Sequence, residues 1–168
     1  MIRNNMTERE LMMVCKKFAK EHWGMDFNIP VKVSGRMTVT LGAFYHSRKT
    51  PTKVVFSKNL IQNYKPSTIK SVILHELTHW VLFMQNKPFK DTDRTFIQEA
   101  KKVGASLTGT IQCAGKLHKF VCTKCRKTLL LCSTRKKTNL LKKQPYLSSK
   151  CCQAGVVYTG VEYVEDTF

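Results

Sequence analysis

Residues 66–85 read Pro-Ser-Thr-Ile-Lys-Ser-Val-Ile-Leu-His-Glu-Leu-Thr-His-Trp-Val-Leu-Phe-Met-Gln, and the rest of the fold is read outward from them. Pro66 and Ser67 open a helix predicted to run to about Gln85. Ile69, Val72, Ile73 and Leu77 form an apolar stripe that Val81, Leu82 and Met84 continue. Inside it, His75 and His79 stand four residues apart, which puts both imidazoles on one helix face, within reach of one tetrahedral metal ion. Glu76 lies beside the first histidine, where it reaches a metal-bound water rather than the metal. In such a site zinc brings the pKa of its water to about 7, and the glutamate carries the proton to the leaving amine. A chance match on an amphipathic helix would bury a glutamate and two histidines without purpose, at a cost in free energy. The pattern therefore points to a zinc metallopeptidase.

A catalytic zinc takes three protein ligands and keeps one position open. No histidine follows His79 until His118, so the third ligand is sought among carboxylates. Glu99 is one candidate, and Asp91 and Asp93 are nearer. Asp93 precedes a helix predicted over about Asp93 to Val103, with Gly104 as its stop, and fits an N-cap. That leaves Asp91 as the better ligand.

Upstream, Thr7 fits the N-cap of a helix with Glu8 and Glu10 in its first turn. Leu11, Val14, Cys15, Phe18 and Ala19 repeat at helical spacing, and Gly24 ends the element. Cys15 reads as a small buried hydrophobe. From Ile29 to Phe56 the pattern alternates: Val31 and Val33, then Met37, Val39, Leu41 and Ala43, then Val54 to Phe56. With turn signals at Gly35 and from Ser47 to Pro51, a small antiparallel sheet is expected.

After Ser106 the texture changes to cysteine pairs, basic residues and short β-like runs. Cys122-Thr-Lys-Cys125 is a knuckle, and Cys151-Cys152 follows about 26 residues on. Two pairs suggest a structural zinc site closed by four thiolates. Adjacent cysteines replace a second CxxC, so Cys132 or His118 could complete the site instead. Cys113 reads as packing. Zinc is thus expected twice, once catalytic and once structural.

The net charge is +18, and between Glu99 and Glu162 there is no Asp or Glu, against thirteen Lys and Arg from Lys101 to Lys150. A solvated basic surface is one reading. Contact with a polyanion is the other, with Lys124, Arg126, Lys127, Arg135, Lys136 and Lys137 facing phosphates. Such binding to DNA, single-stranded or structured, would be salt-sensitive and sequence-nonspecific. No apolar run approaches the roughly 20 residues that span a bilayer, and residues 1–10 lack a signal-peptide pattern. No membrane partner is expected. A reducing cytoplasmic location is expected, where cysteines serve as thiols or metal ligands.

Several segments together resemble the SprT-like metallopeptidase family, which includes the Spartan proteases. They are Gly35 to Tyr45, above all Leu41-Gly42-Ala43-Phe44-Tyr45; Val54-Val55-Phe56-Ser57 with Leu60; Ile73 to His79; and Asp91-Thr92-Asp93-Arg94-Thr95-Phe96. The order of hairpin, HExxH helix, ligand loop, helix and Cys-rich tail is the more specific part. The resemblance implies a metal-dependent peptidase acting on proteins near DNA, with His75 and His79 as ligands and Glu76 as base. The family usually places a histidine in the loop where this chain offers Asp91, Thr92 and Asp93. Metal binding and peptidase activity are therefore separate expectations. The alternative is a zinc protein impaired in catalysis that serves as a DNA-binding module. The expected architecture is α+β. A zincin-like metallopeptidase core with a small antiparallel sheet and the HExxH helix spans residues 1–110, and a basic zinc-ribbon-like segment spans 111–168.

Overall fold

Thr7 starts the first helix, α1 (Glu8–Trp23), through a capping box: its hydroxyl accepts from the Glu10 N–H, and the Glu10 carboxylate accepts from the Thr7 N–H at 2.8 Å. Gly24, left-handed at φ 68°, closes it. The structure is a computed structural model. It describes residues 2, 4–37, 40–107, 114–132, 135–144 and 147–166, with the backbone alone for residues 132 and 135–137. Val39 and Cys113, assigned above to a strand and to packing, lie outside the described residues. The chain divides into two units, Met1–Ile111 and Gln112–Thr167.

In the first unit β1 (Val31–Ser34), β2 (Gly42–Ser47) and β3 (Thr50–Ser57) form a sheet in the order β1-β3-β2. The expected purely antiparallel sheet is corrected here to a mixed one. β2 pairs antiparallel with β3 through a two-residue loop, but β1 lies parallel on the other side of β3. Alternation reports that a segment is a strand and which face it buries; it carries no record of partner or direction. Central β3 buries Val54 and Phe56 completely.

Ser57 then caps a short helix that periodicity missed, α2 (Lys58–Asn63), its hydroxyl accepting from the Leu60 N–H at 3.0 Å. One and a half turns are too few for a helical period to register. The long helix α3 (Pro66–Met84) has Pro at its start, as expected. It buries Ile69, Val72, Ile73, Leu74, Leu77, Trp80, Val81 and Leu82, a helix enclosed on most sides. Each such side chain contributes about 1.5–3 kcal/mol of burial, so the enclosing core fixes this helix firmly. α4 (Arg94–Val103) follows and ends at left-handed Gly104.

The second unit is a three-stranded antiparallel sheet, β5-β4-β6, of β4 (Gly115–Cys122), β5 (Thr128–Cys132) and β6 (Val156–Val164). α5 (Arg135–Lys142) sits between β5 and β6 in sequence. That helix was not expected, because its residues were read only for charge. Among the described residues no helix is long and apolar enough to cross a membrane.

Candidate functional site

α3 and the loops after α3 and α4 set the geometry around His75 and His79. Nδ1 of His75 lies 2.7 Å from the Ser106 carbonyl, and Nδ1 of His79 lies 2.6 Å from the Phe89 carbonyl. A carbonyl accepts only, so each Nδ1 carries a proton, and in that tautomer a neutral ring offers its lone pair at Nε2. Those two Nε2 atoms are 3.1 Å apart, and Asp91 Oδ1 lies 3.4 Å from the first and 3.0 Å from the second. Burial, then the neighbouring His75, holds His79 below the ordinary histidine range, in the direction that favours the neutral ring. Three potential ligand atoms, two imidazole Nε2 and one carboxylate oxygen, thus converge on one point. Phe96 stacks on His79 at 4.3 Å and meets the His75 edge at 5.0 Å, which fixes both rings.

The other two carboxylates considered as ligands are engaged elsewhere. Glu99 accepts the Trp23 indole N–H at 2.7 Å and pairs with Lys102. Asp93 stands at the N-cap of α4, but its side chain makes no cap bond. It accepts the Lys90 N–H at 2.7 Å instead, closing the turn that presents Asp91. The N-cap role expected of Asp93 is corrected to that extent.

Glu76 stands outside the converging trio and lines the same cavity of about 510 Å³, with Gly42, Phe44, His46, Phe89 and Asp91. Its carboxyl is pushed up to about 8, first by burial and then by the charge of Asp91, against the Phe44 N–H that lowers it. A cation beside Asp91 would act in the lowering direction. The site also uses a residue the motif did not reveal. A Cβ built on Gly42 would lie 2.6 Å from Glu76 Oε1 and 2.8 Å from its Cγ. A glycine inside a strand marks such a close approach, and that signal was available in the sequence. Under a peptidase reading of the site, Gly42→Ala is expected to lower turnover by about 100-fold through displacement of Glu76, with the metal content unchanged. Turnover measured beside zinc stoichiometry checks it. Equal turnover would mean that Glu76 need not sit where it does.

In the second unit Cys122, Cys125, Cys151 and Cys152 bring their sulfurs within 4.8 Å of one another, and the set could hold a metal ion. Tetrahedral zinc with bonds of about 2.3 Å places sulfurs roughly 3.8 Å apart. The knuckle is shaped by Arg126 N–H donating to the Cys122 carbonyl at 3.0 Å, with Arg126 left-handed at φ 61°. The adjacent pair reaches the same point because residues 149–154 form a tight turn, with Gln153 left-handed at φ 54°. The Ser149 hydroxyl, 3.2 Å from Cys122 Sγ, is the main reason that thiol falls to about 6. Sharing with Cys125, then burial, pushes Cys152 up. His118 contacts the Tyr158 hydroxyl at 3.1 Å and is no member of the group. The Cys132 side chain lies outside the described residues. Lys124, Arg126 and Lys127 are exposed beside the knuckle.

Among the described residues, fold and site together define an α+β protein with one His-His-Asp and one four-cysteine candidate metal centre. The sequence profile of the SprT-like family matches residues 10–125, more than half of the chain, and the chain belongs to that family. It is similar to "Protein SprT-like" of Bacillus cereus (strain G9842), 25% identical over 150 residues, covering 87% of this chain and 93% of that one. It is also similar to "Protein SprT-like" of Anoxybacillus flavithermus (strain DSM 21510 / WK1), 25% identical over 124 residues, 72% of this chain and 80% of that one.

Proposed function

We propose that the chain is a zinc-dependent endopeptidase with a zincin-like core that cleaves DNA-associated proteins, its basic cysteine-rich tail acting as a zinc ribbon that contacts DNA. The observation that carries the reading is the convergence of two imidazole Nε2 atoms and the Asp91 carboxylate beside a buried glutamate. His75, His79 and Asp91 would hold the catalytic zinc, and Cys122, Cys125, Cys151 and Cys152 the structural one. Zinc in the first site supplies Lewis acidity toward the scissile carbonyl and lowers the pKa of the attacking water.

The chain's own residues do the rest. β2 is a sheet edge that lines the cavity, so an extended polypeptide can add to it by main-chain hydrogen bonds. Glu76 accepts the proton of the attacking water and delivers it to the amine as the C–N bond breaks. The carbonyls of Phe89 and Ser106 keep both ligands in the correct tautomer. A polypeptide bound by its backbone is recognised with little side-chain preference, so delivery would fall to DNA contact through the tail.

The test is cleavage of a DNA-bound protein by the zinc-loaded chain, with and without DNA. Cleavage should stop with a chelator and return with added zinc. Zinc analysis should give about two ions per chain, falling to one in Asp91→Ala, since a site short of a ligand loses most of its affinity. Two ions retained in Asp91→Ala would remove Asp91 from the site.

A further inference from the structure

The β2–β3 hairpin carries cations that no feature of the cleft uses. Its two-residue loop is Arg48-Lys49, with Arg48 left-handed at φ 44°. A loop of this length favours Asn-Gly, so two long cations stand where turn chemistry would choose otherwise. Lys53 follows on β3, its ammonium 5.2 Å over the ring of Tyr45, which is 44% exposed. The loop after α3 adds exposed Lys87 and Lys90. Phe89, between them, meets the His46 ring edge-on at 5.3 Å and so packs loop and hairpin together. Among the described residues none of these five cations pairs with a carboxylate. A bound polyanion would supply the counter-charge that these side chains lack.

We propose that the hairpin and the Lys87–Lys90 loop form a second nucleic-acid contact on the peptidase unit itself, holding the phosphates of a single strand with a base stacked on Tyr45. The pairing of cations with an exposed aromatic favours a nucleic acid over an acidic peptide, because a base offers a π-face and a carboxylate does not. A membrane surface is disfavoured by the tip sequence Ser47-Arg48-Lys49-Thr50, which has no apolar side chain to insert. The contact is separate from the tail and does not require cleavage. It would lay the strand beside the cavity, so that a protein attached to the strand meets β2 and Glu76.

The experiment uses the full zinc-loaded chain and a fluorescein-labelled oligothymidine. In the double variant Arg48→Glu, Lys49→Glu, affinity should fall by about 10-fold or more. The plot of log affinity against log salt should become shallower by about 1.4, the loss of two phosphate contacts on a single strand. In Tyr45→Trp the added indole emission should be quenched by the oligonucleotide, beyond any change in the parent. An unchanged slope with unquenched emission, while reversal at Arg135, Lys136 and Lys137 abolishes binding, would overturn the hairpin contact and leave the tail contact standing. Equal competition by polyglutamate at matched charge would overturn the nucleic-acid assignment in favour of an acidic polypeptide.

Discussion

Glu76→Gln is expected to reduce cleavage by about 10²–10⁴-fold, the range that a positioned general base contributes, with the zinc content unchanged. The substitution keeps the shape of a side chain that is 4% exposed and wedged against Gly42, so it creates neither a cavity nor a clash. It removes the proton acceptor alone. Loss of zinc in the variant would instead make Glu76 a ligand. If native chain and variant cleave alike, the peptidase reading fails and the DNA-binding module remains.

The same variant carries a pH signature that separates chemistry from folding. In the metal-free chain Glu76 has its pKa raised to about 8 from an ordinary value of 4.5, chiefly by burial. Between those values the folded chain holds a proton that the unfolded chain has released. Stability therefore falls as pH rises through that window and is highest below it. The glutamine amide of the variant does not titrate. The metal-free variant should thus gain in melting temperature over the native chain between pH 5 and 8, and the gap should widen with pH. A constant gap would mean that burial does not hold the carboxyl protonated.

Much of this was legible because it rests on local rules. The N-cap at Thr7, the glycine stops at Gly24 and Gly104, and the buried face of α3 follow from residue type and spacing. So did the meeting of His75 with His79, since a helix fixes that contact. Asp91 was only preferred over Asp93 and Glu99, and both of those prove occupied by partners that sequence could not name. The carbonyls of Phe89 and Ser106 were invisible, because a carbonyl has no side-chain identity and long-range loop placement sets its direction. Direction of pairing was also hidden, as the parallel β1 shows. Charge drew attention to residues 101–150, while the hairpin cations escaped it. They are few in sequence and become a patch only when β2, β3 and the Lys87–Lys90 loop come together.

Cys122→Ser is expected to unfold the second unit while residues 1–111 keep their structure. That unit spans about 56 residues, and its buried apolar side chains include Leu117, Phe120, Val121 and Cys122 itself. Below roughly 70–80 residues a core of this kind supplies about 3–5 kcal/mol at most. A structural zinc contributes about 10–16 kcal/mol to the folding of such a segment. Removing one thiolate from the set should therefore outweigh what the core retains. Cys122 is the sensitive choice because it ends β4, accepts Arg126 through its carbonyl and contacts Ser149 through its sulfur. A hydroxyl there preserves size and loses the soft ligand. Zinc should drop from two ions to one, amide protection should vanish across 114–166, and proteolysis should leave a resistant N-terminal fragment. Cys15→Ser, buried in α1 away from any cluster, should keep both ions and cost only about 1–3 kcal/mol. Cys132→Ser tests the remaining alternative ligand: retention of both ions there, with loss in Cys122→Ser, assigns the site to 122, 125, 151 and 152. Full protection and two ions in Cys122→Ser would remove the structural metal from the account and leave the tail standing on its sheet alone.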